Sequence, residues 1–528
     1  MKRWNGWGNT ATDYPLAESA RDFLRGVVGP GEVIPDATYE QVLTSAPPGR
    51  IPPHPLLKTD APERLSHSLG QSLSDWLALR HGRVTRFTDA VAYPNDRVQV
   101  AELIALARSK GWVVVPYGGG SSVLGHLTPA KELPTLTIDL GRMDRLMDLN
   151  EHSHTARLEA GVAGPQVEEL LNARGYTLGH FPQSFEYSTV GGWVATRSVG
   201  QQSYRYGRVD EMLIGCDLET PAGPWNLPAI PASAAGPDIR QLVLGSEGRL
   251  GVITSAVLRV HPLPEEERFL AIFFPDWQHG ADAAREITQH EIPVSMLRLA
   301  DATETMTTLQ LAGKPRLTDL ANNGLKLIGM GGEKTLLIYG LTGTESNCRQ
   351  TYRQVQSVAR RHGGFAVDFF IGHTWQKSRF LTPYLRNTLW EAGYALDTLE
   401  TCLDWNRALP CIAAIKQAIT AAVAEGGERS LVFGHLSHMY PEGASCYVTY
   451  LWRRSADPEG TLATWKRIKA AASGVIVAHG GTISHQHGVG TDHKPWLEAE
   501  KGRLGLELLK AAAHTADPLG MMNPGKLI

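Results

Sequence analysis

Apolar residues recur along this chain at two periods, and the points where the period changes mark its elements. After Pro94, Asn95 or Asp96 can cap a helix in which Val98, Ala101, Leu103, Ile104 and Ala107 keep helical spacing until Gly111. The apolar run Trp112 to Pro116 (WVVVP) then reads as a buried strand leading into Gly118-Gly119-Gly120-Ser121-Ser122. Thr135–Leu140 and Ala156–Ala160 read as strands, and a helix opens at Pro165 and closes at Gly175 with Val167, Leu170 and Leu171 on one face. Such alternation predicts α/β or α+β architecture. Upstream, Pro30, Pro35, Pro47, Pro48, Pro52, Pro53 and Pro55 interrupt the stretch from Ser19 to about Asp60, predicting a wrapping arm without a long helix. The run Pro262-Leu263-Pro264-Glu265-Glu266-Glu267 reads as a domain boundary. Four regions result: an arm and helical segment at 1–85, a glycine-rich domain at 86–265, a second domain at 266–470 and a returning segment at 471–528.

A chain of 528 residues has room for three or four lobes. With 51 Lys+Arg against 54 Asp+Glu the net charge is −3, so no long-range field favours nucleic acid or an anionic membrane. No 18-residue apolar run stands out, and the opening MKRWNGWGNTATDY lacks the apolar core of a signal peptide, so any membrane contact is expected to be peripheral. Cys216, Cys348, Cys402, Cys411 and Cys446 are odd in number and show no CxxC spacing; reduced thiols in a cytoplasmic protein are expected.

The 54 glycines concentrate in informative places. Without a Cβ, a glycine turn lets successive backbone N–H groups face an anion. Gly118-Gly119-Gly120 is not followed by GK[ST] and lacks GxGxxG spacing, which excludes a P-loop and a Rossmann turn. Pro116–Ser122, Ser188–Trp193, Gly245–Thr254 and Asp517–Lys526 instead resemble, in order and content, the FAD-binding fold of the vanillyl-alcohol-oxidase superfamily. The resemblance implies a two-lobed FAD-binding domain with an α+β cap, within an α+β fold class. It assigns to FAD the residues Pro116, Tyr117, Gly118, Gly119, Gly120, Ser121, Ser122 and Val123. It adds Gln183, Ser184, Ser188, Thr189, Gly191, Gly192, Thr196, Arg197, Ser198 and Val199, and then Glu247, Gly248, Leu250, Gly251, Val252 and Ile253. Relatives that tether the flavin carry a histidine just after the first glycines; Ser121 and Ser122 imply non-covalent FAD.

Other segments resemble the alkylglycerone-phosphate synthase family: Lys2 to Gly8, Gly191 to Arg197, Pro383 to Arg386, Gly443 to Tyr447, and the SHxHGVG stretch Ser484–Gly490. That family exchanges the acyl group of acyl-dihydroxyacetone phosphate for a long-chain alcohol without net redox, flavin N5 bonding transiently to substrate C1. The resemblance makes Tyr447 the proton donor or acceptor and His487 the catalytic histidine, with His485 beside it. It places Arg386, Arg298 and Gln486 at the substrate headgroup. Histidine suits proton transfer near neutrality, and arginine grips phosphate with two parallel donors. Lipid-like substrates, a homodimer, and cytoplasm with peripheral membrane contact are the corresponding expectations.

Taken by themselves these residues admit other readings. Tyr447 lies in an aromatic strand and could be a sheet residue, and Arg386 could be an ion-pair arginine. His485 and His487, spaced to share one side of a strand, form a possible metal set with His435 and His438, but no acidic residue stands at a matching spacing and no metal is expected. The family carries three consecutive histidines where this chain has His485-Gln486-His487, and glutamine cannot become a cation. This leaves an FAD-dependent oxidase or dehydrogenase of an alcohol or 2-hydroxy acid as the alternative, although the GHxGDGNxH pattern of hydroxy-acid enzymes is absent at Gly434–His438. A non-enzymatic flavoprotein partner is a third reading. Thr303–Gly332 is a candidate mobile gate.

Overall fold

The computed structural model describes residues 1–311, 325–326, 329–367 and 370–528. The expected gate at Thr303–Gly332 lies in part outside these residues.

Two larger sheets build the glycine-rich half, beside a two-stranded pairing of Tyr176–Thr177 with His261–Pro262. In the first, Val113–Tyr117 and Ala90–Ala92 flank Thr135–Asp139 in parallel, and Leu57–Lys58 adds an antiparallel edge. The second is antiparallel, in the order Leu146–Asn150, Thr155–Glu159, Val252–Arg259, Leu213–Thr220, Gly223–Leu227. Helix Arg97–Lys110 starts at Asp96, whose side chain accepts from the Gln99 N–H, and ends at Gly111 with φ +70°. Its Val100, Leu103, Ile104 and Ala107 share one core with Val114, Leu136 and Ile138. Helix and strands thus hold the turn at Gly118 at the carboxyl end of a largely buried strand.

The second half is a seven-stranded antiparallel sheet, in the order Phe365–Ala366, Glu266–Phe274, Thr335–Gly343, Met296–Ala300, Ser430–Met439, Gly443–Arg453, Tyr394–Asp404. Helices Trp405–Ala424 and Pro458–Ala478 cover it, burying Ile412, Ile415, Ile419, Trp465 and Ile468 with Leu436, Cys446 and Val448. Trp405–Ala424 is long and apolar enough to cross a membrane by length and composition; here that apolarity serves the cap core.

Two local expectations change. The proline-rich arm contains a ten-residue helix, Glu18–Val27, because its prolines begin only at Pro30; Ala20 and Leu24 bury against Leu389, Tyr394 and Leu451. Ser484–Gly490 is a loop rather than a strand, so His485 and His487 do not share one strand face.

The amino-terminal turn is closed by a bridge between Lys2 and Asn9 and docks where the two halves meet. The Trp7 N–H donates to Asn387 Oδ1 at 3.1 Å, and Asn387 Nδ2 returns a bond to the Trp7 carbonyl at 3.0 Å. Lys2 Nζ donates to the Gly119 carbonyl at 2.8 Å. The tryptophan segment therefore joins the glycine turn to helix Thr382–Glu391, which carries Arg386.

Candidate active site

Strand Val113–Tyr117 delivers Pro116 and Tyr117 to the turn Gly118–Ser122 and Val123. A Cβ on Gly119 would run into the Tyr187 carbonyl, and Gly120, at φ +71°, lies against the Tyr117 hydroxyl. The turn is thus pressed onto the segment Gln183–Thr189. Among the described residues, the N–H groups of 118–122 find no protein acceptor, an arrangement that suits a phosphate. Around it the scaffold is self-supporting. Ser184 O accepts the Tyr187 and Ser188 N–H groups, Ser188 Oγ accepts Trp193 Nε1 at 2.7 Å, and Gly191 N donates to Ala160 O at 2.8 Å. Gln183 donates to the Arg379 carbonyl. Thr196 Oγ1 donates to Gly192 O, and Ser198 Oγ lies 3.1 Å from His180 Nε2, beside buried Val199.

Two assigned side chains have structural partners that sequence did not reveal. Arg197, at φ +54°, pairs with Asp210 at 3.2 Å. Glu247, at φ +53° and fully enclosed, accepts the Val489 and Gly490 N–H groups and lies 3.2 Å from His126 Nε2. Its carboxylate therefore pins the SHxHGVG loop onto the cofactor half. Asn523 Nδ2 donates to the Glu247 carbonyl at 2.7 Å, tying the terminal motif to the same point. Gly248, Leu250, Gly251, Val252 and Ile253 continue from there into strand Val252–Arg259.

Sheet register assembles the cap side. His435 and Glu400 both stand opposite Tyr447, one in each neighbouring strand, so the three side chains share a face. The Tyr447 ring stacks on His435 at 5.0 Å and meets His487 edge-on at 6.2 Å. Its hydroxyl donates to Thr398 Oγ1 at 3.0 Å. Burial pushes that hydroxyl well above the usual phenol range, so it is a proton donor at neutral pH. His435 Nδ1 lies 3.0 Å from Glu304 and 3.2 Å from Arg298 Nη2, and Arg298 also pairs with Glu304. Burial alone would raise the Glu304 carboxyl, but Arg298 and His435 outweigh it and hold it at about 2. Arg298, assigned to the headgroup by resemblance, thus spends its Nη2 on this pair.

His485 and His487 go to different places. His485 Nε2 lies 2.8 Å from the Tyr440 hydroxyl and 3.3 Å from Arg208 Nη1, and its ring stacks on His438 at 5.3 Å. Burial holds His485 well below the usual imidazole range, and so keeps it neutral. His487 Nδ1 lies 3.3 Å from Glu400 Oε1, and its side chain keeps 22% exposure while Glu400 keeps none. The Gln486 side-chain carbonyl oxygen is buried without a partner.

Arg386 lies over the Trp76 ring at 4.3 Å and donates Nη1 to the Gln71 carbonyl at 2.6 Å. The residue is only partly buried, yet Nε and Nη2 are cut off from water and have no partner. Burial lowers its proton affinity, while Asp397 and Asp75 oppose that effect. Two enclosed donors without an acceptor on a cation are an unfilled anion contact. Glu304, Glu400, Arg208, Tyr440 and His126 complete this region, and no local motif marks any of them.

Known proteins bear out the cofactor reading. Residues 88–225 match the FAD binding domain family and 263–527 the family of FAD linked oxidases, C-terminal domain; the cofactor is FAD. Alkyldihydroxyacetonephosphate synthase of Dictyostelium discoideum is 31% identical over 493 residues, covering 89% of this chain and 78% of its own. A solved alkyldihydroxyacetonephosphate synthase superposes with TM-score 0.86 at 27% identity, over 100% of this chain and 99% of its own. p-Cresol methylhydroxylase shares the fold, with TM-score 0.68 at 14% identity over 89% of this chain and 93% of its own. With its glycine turn, its Tyr447 row and its full-length likeness, the chain belongs to the alkyldihydroxyacetonephosphate synthase family of FAD-linked enzymes.

Proposed function

We propose that this enzyme replaces the acyl group of acyl-dihydroxyacetone phosphate with a long-chain alcohol, forming an ether-lipid precursor and a free fatty acid. The observation that carries this reading is Arg386: a guanidinium with two enclosed, unpartnered N–H donors, near enough to Tyr447 for the two to interact electrostatically. A phosphate headgroup supplies the missing acceptors.

FAD, when bound, supplies the centre that holds substrate C1 between loss of carboxylate and arrival of the alcohol oxygen. The protein's residues supply the proton chemistry. Tyr447, a neutral phenol held by Thr398, donates to or takes back a proton at C1. His487, the partly open histidine of the row, removes the alcohol proton; the C–O bond to carboxylate breaks and the C–O bond to the alkoxide forms, so no electrons are gained or lost overall. Ser121 and Ser122, in place of a tethering histidine, support non-covalent FAD. Leu504 and Leu508, 69% and 63% exposed one turn apart on helix Leu497–Ala516, support peripheral membrane contact. The free thiols support a reducing, cytoplasmic location.

The test is to incubate the FAD-loaded protein with acyl-dihydroxyacetone phosphate and labelled hexadecanol. Labelled alkyl ether with released fatty acid is expected. No ether product, or lasting flavin reduction on adding an alcohol, would overturn the reading.

A further inference from the structure

Glu400 projects from strand Tyr394–Asp404 into the row of active-site side chains, opposite Tyr447. Its side chain has no exposure, and Oε1 collects three nitrogens: Gln486 N at 2.7 Å, His487 N at 3.0 Å and His487 Nδ1 at 3.3 Å. Oε2 is buried without a partner. The two backbone bonds would suffice to hold the loop. The approach to Nδ1 does something more, because it presents a carboxylate to one specific nitrogen of the histidine beside Tyr447. Two residues earlier on the same strand, Thr398 holds the Tyr447 hydroxyl. One strand thus sets both proton-transfer groups, each through a side chain two positions apart on one face.

We propose that Glu400 is the positioning residue of His487: it holds the proton on Nδ1, leaves Nε2 as the free base, and stabilises the ring when it becomes a cation. A carboxylate at one imidazole nitrogen selects the tautomer in this way. The other titratable groups facing the ring are Tyr447 from the neighbouring strand and His485 and His493 from its own segment. Burial keeps both of those histidines neutral, and Tyr447 is a neutral phenol, so among these described neighbours of His487 the charged one is Glu400. When His487 takes the alcohol proton, the cation forms beside an anion already in place, without reorganisation.

The role in ether formation rests on the reading above, so the test does not depend on turnover. Diethyl pyrocarbonate modifies neutral imidazole, and mass spectrometry follows His487 in the FAD-loaded protein as pH is varied. Glu400→Gln removes the charge, can keep a carbonyl acceptor for the two backbone N–H groups, and puts an NH2 in place of the other carboxylate oxygen. The pH of half-modification at His487 is expected to fall by about one unit or more in that variant, while exposed His152 is unchanged. A shift smaller than about half a unit overturns the proposal. Should the variant not retain FAD, selective 15N-histidine NMR on the unaltered holoenzyme decides: neutral His487 protonated at Nδ1 supports it, and protonation at Nε2 overturns it. A protein that shows the shift but makes no ether keeps this inference and loses the functional reading.

Discussion

The Glu304 carboxylate reaches His435 Nδ1 at 3.0 Å, and the imidazole it holds lies nearly flat on Tyr447, the two planes 16° apart. A buried acid thus reaches Tyr447, the proposed proton-transfer tyrosine, through one intervening ring. Removing it leaves Arg298 uncompensated at the same point. Glu304→Ala is expected to cost about 3–5 kcal/mol, read as a lowered midpoint in urea unfolding. An unchanged midpoint would mean that the pair contributes nothing.

Acid should act through the same region. His180 and His438 are held at about 3 by burial, against 6.5 when unfolded. Between those values the unfolded chain binds more protons, so stability falls as pH drops below 6.5, by about 1.4 kcal/mol per unit per histidine. The Glu304 carboxyl, held at about 2 against 4.5 unfolded, adds a loss that begins only as pH falls through 4.5. Urea midpoints at neutral pH and near pH 5 should differ clearly; equal values would contradict the neutral burial of these histidines.

Tyr447→Phe removes one hydroxyl and its bond to Thr398. FAD content and thermal midpoint should stay near those of the parent protein, while kcat for ether formation falls by roughly 100-fold or more. Retained turnover would exclude the hydroxyl from proton transfer.

Arg386→Lys keeps a positive charge but gives up the fork and the stacked plane over Trp76. KM for acyl-dihydroxyacetone phosphate is expected to rise by about 10-fold or more, a loss near 1.5 kcal/mol or above. Hexadecanol KM should change little. Equal rises for both substrates would point to a packing role.

Gly119→Ala places a methyl against the Tyr187 carbonyl and forces the turn off the Gln183–Thr189 segment. The variant should purify with little of the visible flavin band. Full FAD occupancy would show that the turn tolerates displacement.

Much of the cofactor half was legible because its signals are local. Asp96 and Gly111 bound a helix by capping and by a left-handed backbone, and Val113–Tyr117 declares itself as an apolar run before glycine. In the arm, proline density hides helix Glu18–Val27, which fits in the proline-free stretch between Pro15 and Pro30. The spacing of His485 and His487 suits a strand, yet Gly488 at φ +82° and Gly490 at φ +56° keep Ser484–Gly490 a loop.

By itself the sequence carried the order of the FAD-family motifs, since each depends on residues adjacent in the chain, and only through its likeness to the synthase family did it single out Tyr447, His487 and Arg386. Only the tertiary structure decided which acids serve them. Glu304 meets His435 across 131 positions and Glu400 meets His487 across 87. Sheet register and the loop pinned by Glu247 create those meetings, because a carboxylate's effect depends on distance and burial, and neither exists until the strands pair.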